Sequence, residues 1–132
     1  MKTIIVTAGV VVEHGKVLVT QRKKEALHGL LWEFPGGKMV VGEGPRLALQ
    51  RELREELGIE VEVKRIFEAV YHIYPEYPIL LLAYYCRIKQ GVLKPLGCRD
   101  LRWVTLEELK KLAMPPADGP IRKYLSSSKL ET

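Results

Sequence analysis

Asparagine is absent from the 132-residue chain and glutamine occurs only three times, a composition that suits a heat-adapted source because both amides are thermolabile. Cysteine is nearly as scarce. Cys86 and Cys98 have no second pair, so neither a disulfide framework nor a zinc cluster is expected, and both thiols read as buried or inert. The histidines, His14, His28 and His72, are scattered without ligand spacing and read as structural. No apolar run approaches the ~20 residues of a membrane helix. The longest, Ile79 to Cys86, falls far short, so no membrane partner is expected. Hydrophobic and charged contents of 47% and 28% exclude a disordered or fibrous class. The net charge of +5 favours anionic partners. The basic residues form no arginine stripe with interleaved aromatics, so no stable nucleic-acid complex is expected.

A chain of this length buries roughly two-thirds of the surface that it exposes when unfolded, and residues 1–132 are expected to form one domain, monomeric or homodimeric. The start, Met1 to Val12, carries one basic residue and an apolar run, the opening pattern of a secretion signal. Its β-branched residues continue through Glu13-His14-Gly15-Lys16 into Val17 to Thr20, which reads instead as a hairpin of the mature fold. A cytoplasmic address follows as the expectation.

Strands are expected at Thr3 to Glu13 and Lys16 to Arg22, followed by a polar loop from Lys23 to Gly29. Leu30 to Phe34 then leads into Pro35-Gly36-Gly37, where backbone freedom is expected to replace regular structure. Pro45 suits the first turn of a helix and Gly58 its end, which predicts a helix over Pro45 to Leu57. Two strands, Ile59 to Tyr74 and Ile79 to Lys89, flank the turn Pro75-Glu76-Tyr77-Pro78. A short strand is expected at Leu101 to Val104. Thr105-Leu106-Glu107-Glu108 has the spacing of a capping box, and a last helix is expected from near Ala117 into Ser126-Ser127-Ser128. The mixture of strands and helices points to an α/β or α+β layer structure.

On the predicted helix Leu49, Leu53 and Leu57 make one apolar stripe, and Glu52, Glu55, Glu56 and Ala48 occupy a neighbouring arc of about 100°. The acids border the buried face, whereas an ordinary surface helix places them opposite it. Arg51 and Glu55 have i,i+4 spacing, so a surface ion pair accounts for part of the pattern. Three close carboxylates nevertheless repel, and a partly buried cluster calls for a cation or for protonation. Mg²⁺ answers that need, since it takes oxygen ligands and bridges carboxylates to phosphates. Gly36 and Gly37 permit either a tight turn after Pro35 or a close approach of backbone carbonyl to such an ion.

From Gly37 five residues precede Glu43, and seven more precede Arg51-Glu52-Leu53-Arg54-Glu55-Glu56-Leu57-Gly58-Ile59. This stretch resembles the Nudix hydrolase box, G-x5-E-x7-R-E-U-x-E-E-x-G-U with U aliphatic, at every defined position. The seven fixed types coincide by chance at roughly one in 10⁸ starting points. "LWEFPGGK" and "MPPADGPI" extend the resemblance to the MutT-like branch, which hydrolyses nucleoside triphosphates such as 8-oxo-dGTP or CTP.

The resemblance implies an α/β/α sandwich around a mixed sheet and hydrolysis of a nucleoside triphosphate to the monophosphate and pyrophosphate. It implies Mg²⁺, with Mn²⁺ as a substitute, held by Glu52, Glu55, Glu56 and the Gly37 carbonyl. Glu52 is the implied base, Arg51 orients the glutamates, and Glu43 supports them from the loop. Arg22 and Lys38 fall at phosphate-binding positions of the MutT-like pattern. Asp118 stands where the bacterial pattern has an asparagine that reads 8-oxoguanine. An ionised aspartate suits the amino group of cytosine and a protonated one a purine; its other reading is an N-cap of the last helix. Phe34, Tyr74 and Tyr77 are candidates to stack on the base, with core packing an equal account of Phe34. Some MutT-like enzymes hold a further acid in the loop before the strand at Leu101; here Gly97 takes that place, with Asp100 as a substitute or a surface residue. The number of metal ions and the identity of the base therefore stay open. A nucleotide-sensing domain without catalysis and a hydrolase of dinucleoside polyphosphates or nucleotide sugars are the alternatives. An intact acidic box favours catalysis.

Overall fold

The computed structural model describes residues 2–126. The long first strand, β1 (Ile4–Glu13), is its organising element. β-branched residues favour extended backbone, and their alternation sends Val10 and Val12 to one face of the sheet and Val11 to the other. At its far end β1 turns through His14-Gly15 into β2 (Lys16–Gln21), pairing Val12 with Val17. Along its length β1 runs parallel to β6 (Pro78–Gly91), and β6 pairs antiparallel with β5 (Ile59–Ile73). β2 also pairs with β3 (Trp32–Glu33) and β7 (Asp100–Val104). The sheet is mixed, as expected.

One expectation fails at Pro35-Gly36-Gly37. Gly36–Lys38 form a strand, β4, antiparallel to β1 with Thr7 opposite Gly37 and Ala8 opposite Gly36. Glycine is required there for closeness: a Cβ on Gly36 would lie 2.0 Å from the Thr7 carbonyl oxygen. Sequence propensity treats such glycines as breakers because the approaching chain is thirty residues away.

Helix α1 (Pro45–Leu57) has the predicted bounds, with Pro45 in its first turn and Gly58 at φ 72° as its C-terminal cap. It covers one face of the sheet, burying Leu49, Leu53 and Leu57 against Val11, Leu18, Ile59 and Cys86. Each such leucine stabilises the fold by about 2 kcal/mol. The opposite face is covered by α2 (Leu106–Lys111) and α3 (Gly119–Ser126) through Leu109, Ile121 and Leu125. The arrangement is therefore the α/β/α sandwich. Thr105 makes the full capping box of α2: its Oγ1 accepts from the Glu108 amide at 3.1 Å, and Glu108 Oε1 accepts from the Thr105 amide at 2.9 Å. A single 3₁₀ turn, Pro116–Asp118, precedes α3, so the last helix begins two residues later than expected near Ala117. Ser127 and Ser128 lie outside the described residues.

No helix among the described residues is long and apolar enough to cross a membrane. Cys86 and Cys98 are buried and unpaired. Burial pushes their thiols up to about 12 and about 11 respectively, so both stay protonated at neutral pH and are poor nucleophiles.

Candidate active site

The α1 register and the β4 strand bring Gly37, Lys38 and the acidic arc of the helix together. Arg51 is the hub. Its Nη2 donates to Glu43 Oε1 at 2.6 Å and to the Lys38 carbonyl at 3.1 Å, and its Nε donates to Glu43 Oε2 at 3.1 Å. Its Nη1 donates to Glu52 Oε1 at 3.0 Å and to Glu55 Oε2 at 3.2 Å. One guanidinium thus ties the loop acid, two helix acids and β4 into a single network, which a planar five-donor fork permits and an ammonium does not. The hydrogen bond from Arg51 holds the Glu43 carboxyl below its ordinary range, and Glu43 in turn raises Arg51. Glu43 Oε1 also accepts from the Val40 amide at 3.1 Å, which closes the loop before α1.

Glu56 leaves this network. It lines a groove of ≈ 150 Å³ with Glu33, Arg22, Lys23, Gly97 and Cys98. Its Oε1 is buried without a hydrogen-bond partner. Burial, and next the charge of Glu33, push its carboxyl up to about 8. A buried, unpartnered carboxylate oxygen is costly unless a cation meets it.

Three carboxylates and a carbonyl are hard oxygen donors of the kind that hold Mg²⁺ or Mn²⁺. The local shape fits such an ion. A Cβ on Gly37 would stand 2.4 Å from Glu52 Oε2, so only glycine lets that backbone and that carboxylate converge. The Gly37 carbonyl already accepts from Thr7 Oγ1 at 3.2 Å, which occupies one of its two lone pairs. Among the described residues no three acidic, histidine or cysteine side chains are gathered as a coordination sphere. Arg51 draws Glu52 and Glu55 to itself, while Glu56 lines the separate groove.

Asp100 stands away from both cavities. Its Oδ1 accepts from the Leu101 amide at 2.8 Å at the start of β7, a surface role. Gly97 donates its amide to the Glu56 carbonyl at 3.0 Å. A side chain there would begin 3.3 Å from the Glu56 Cα.

A second cavity, a cleft of ≈ 160 Å³, adjoins the groove and brings together Arg22, Lys38, Phe34, Tyr74, Tyr77 and Asp118. Phe34 is also part of the core. Tyr74 is largely enclosed: its ring lies 4.8 Å from that of His28 and 4.4 Å from that of His72, and its hydroxyl accepts from the Ala117 amide at 2.9 Å. It forms a rigid wall more than an open platform. Tyr77 is less buried, and the Lys38 ammonium sits 5.4 Å from its ring centroid, a cation–π contact.

Asp118 is 6% exposed. Burial, and then the charge of Glu33, raise its carboxyl well above the ordinary aspartate value, with Arg22 and Arg122 pulling the other way. Its amide donates to the Pro115 carbonyl at 3.0 Å, within the 3₁₀ turn that precedes α3. Arg22 is paired: its Nη1 donates to Glu33 Oε1 at 3.2 Å and Oε2 at 3.1 Å, and its Nε to the Leu27 carbonyl at 2.6 Å.

Two cavity residues escaped the sequence reading. Glu33 interrupts the apolar stretch "LLWEFP", and that interruption was its only signal. His28 lines the cleft with left-handed backbone, φ 58°, and its Nε2 is buried without a partner. No spacing rule marks it.

A family model described as "NUDIX domain" matches residues 7–124. The chain is 37% identical to the CTP pyrophosphohydrolase of Escherichia coli strain K12 over 121 residues, covering 92% of this chain and 90% of that one. It is 32% identical to the 8-oxo-dGTP diphosphatase of the same strain over 124 residues, covering 92% and 95%. The solved structure of the E. coli ORF135 protein superposes with a TM-score of 0.83 at 35% identity, covering 96% of this chain and 91% of that one.

Proposed function

Because the chain belongs to the Nudix hydrolase family, we propose that it hydrolyses a nucleoside triphosphate to the monophosphate and pyrophosphate, with 8-oxo-dGTP the favoured substrate. The observation that carries the base preference is Asp118, buried in the cleft beside Tyr74 and Phe34 with its carboxyl raised far from the ordinary range. A carboxyl kept neutral donates one hydrogen bond and accepts others. That is the pairing capacity of the asparagine in the bacterial MutT pattern, and it suits a purine that presents both donor and acceptor. Relatives named 8-oxo-dGTP diphosphatase support the same reading.

The chain's own groups divide the work. The cleft takes the base, with Tyr77 beside it and Asp118 at its edge. Arg22 lines both cleft and acidic groove and Lys38 lines the cleft, and the two meet the phosphates. Glu52 is the base: Arg51 holds its Oε1, which leaves Oε2, the oxygen beside Gly37, to accept the proton of the attacking water. Arg51 and Glu43 keep that carboxylate in place. Mg²⁺, or Mn²⁺ in its stead, would be held by Glu52, Glu55, Glu56 and the Gly37 carbonyl; when bound it neutralises polyphosphate charge and acidifies water. Water adds across the P–O–P bridge between the α and β phosphoryl groups, one bridging P–O bond breaks, and the nucleoside monophosphate and pyrophosphate are released.

A second reading, hydrolysis of CTP or another pyrimidine triphosphate, is favoured by the 37% identity to the CTP pyrophosphohydrolase. It requires Asp118 to ionise and accept from the cytosine amino group. Pyrophosphate release across canonical, 8-oxo and methylated (d)NTPs with Mg²⁺ separates the two. Preference for 8-oxo-dGTP is expected. Tight nucleotide binding without turnover on any member would replace both readings with a sensing domain.

A further inference from the structure

Glu33 faces both cavities. With Arg22 and Gly36 it lines the aromatic cleft and the acidic groove alike, so a ligand that occupies both must pass this pair. β3 sets Glu33 opposite Thr20 of β2. The main chain of Arg22 is held by Leu31 and Leu30 through bonds of 2.9 and 3.0 Å. The guanidinium is then gripped from two sides, by both Glu33 oxygens at Nη1 and by the Leu27 carbonyl at Nε. Among the described residues its Nη2 donates to nothing. Side-chain exposures of 30% for Arg22 and 24% for Glu33 separate this pair from fully solvated ion pairs, which hold geometry weakly.

A second acid shares the groove. Glu56 lines the same groove and its Oε1 lacks a partner. Without Glu33, Glu56 is the one acid left among the described residues in the lining of that groove to receive the arginine fork. Arg22 paired to Glu56 would be spent on the acid that belongs to the metal-binding arc and withdrawn from an incoming phosphate. We propose that Glu33 is a positioning residue that fixes Arg22 at the junction of the two cavities, its spare edge directed to substrate phosphate and its charge kept off Glu56. The proposal deepens the nucleotide-hydrolase reading and rests on it for the identity of the ligand. Restraint of an arginine fork by a neighbouring acid is a way to preorganise it for phosphate at low entropic cost.

The test is a double-mutant cycle read by binding as well as by turnover. Calorimetry with inorganic triphosphate in the presence of Mg²⁺ is carried out on the wild type, Glu33→Gln, Arg22→Gln and the double variant. Glu33→Gln is expected to weaken binding about tenfold or more, and Arg22→Gln at least as much. The double variant is expected to bind no more weakly than Arg22→Gln alone, because Glu33 acts through Arg22. In turnover assays Glu33→Gln should raise KM by the same factor and lower kcat by much less. Losses that multiply in the double variant, or unchanged binding in Glu33→Gln, overturn the positioning role. So does a kcat loss at constant KM with a missing limb in the pH profile, which would make Glu33 a proton-transfer group. Should Glu33→Gln melt below the assay temperature, Glu33→Asp takes its place, with a smaller loss expected and the same non-additivity required. Triphosphate binding by a wild type that turns over no nucleotide sinks the hydrolase reading alone, while the cycle still decides the role of Glu33.

Discussion

The acidic network around Arg51 and the aromatic cleft solve opposite problems with their carboxyl groups. The network crowds like charges and manages them with one guanidinium, Arg51, whose Glu43, Glu52 and Glu55 partners have side-chain exposures of 16%, 21% and 62%. The cleft instead takes one carboxyl, Asp118, out of water almost completely. In the network, carboxylates are held by hydrogen bonds from one guanidinium. In the cleft, desolvation favours the neutral acid and turns an acceptor into a donor. Glu56 is intermediate, buried enough to be raised yet on the face that would meet the ion. A carboxyl group takes on different protonation and hydrogen-bonding character according to how much water and how much positive charge surround it.

That contrast is broken most severely at Glu52. Glu52→Gln keeps an oxygen for Arg51 but removes the proton acceptor, so kcat should fall roughly 10³-fold while thermal melting changes little. Equal losses of stability and rate would show that the network is structural. Gly37→Ala follows: its Cβ would stand 2.4 Å from the Glu52 carboxylate, and displacement of either partner should lower kcat/KM on the order of 10²-fold, with weaker Mg²⁺ binding by calorimetry. Unchanged magnesium affinity would place the ion elsewhere.

Asp118→Asn probes the other half. It preserves donor and acceptor at one edge, so activity on 8-oxo-dGTP should persist within about tenfold and any pyrimidine activity should drop; unaltered selectivity would remove Asp118 from base recognition. It also carries a pH signature. The folded Asp118 holds its proton above the ordinary aspartate value of 3.8, while the unfolded chain releases it there. The folded state therefore binds more protons, and stability falls as pH rises from that value toward the raised one. Melting curves of Asp118→Asn should show a shallower decline over this window than the wild type. The smallest effect is expected at Tyr77. Tyr77→Leu removes a partly exposed ring under Lys38 and should raise KM only a few-fold, with kcat preserved; a large kcat loss would give Tyr77 a part in the chemistry.

The Arg51 network was legible because its polar groups lie on one continuous stretch and helical period converts spacing into a shared face. α1 has its predicted bounds, and Arg51 meets Glu43, Glu52 and Glu55. The cleft was legible in part. Asp118, Phe34, Tyr74 and Tyr77 do line one cavity with Arg22 and Lys38. Even so, the enclosure of Tyr74 between two histidine rings depends on a loop and a strand that no local rule relates. Glu33 went unread and the place of His28 in the cleft was not foreseen for the same reason, and β4 was mistaken for irregular chain because the partner that demands its glycines is β1.

By itself the sequence determined the family, the helix that carries the acids and the oxygen chemistry that they offer, since periodicity and spacing act over one or two turns of chain. Only the tertiary structure decided which carboxyls are taken out of water, which arginine is restrained and where the two cavities join. Those properties depend on distance and on exclusion of water between segments far apart in the chain, and neither is written in local order.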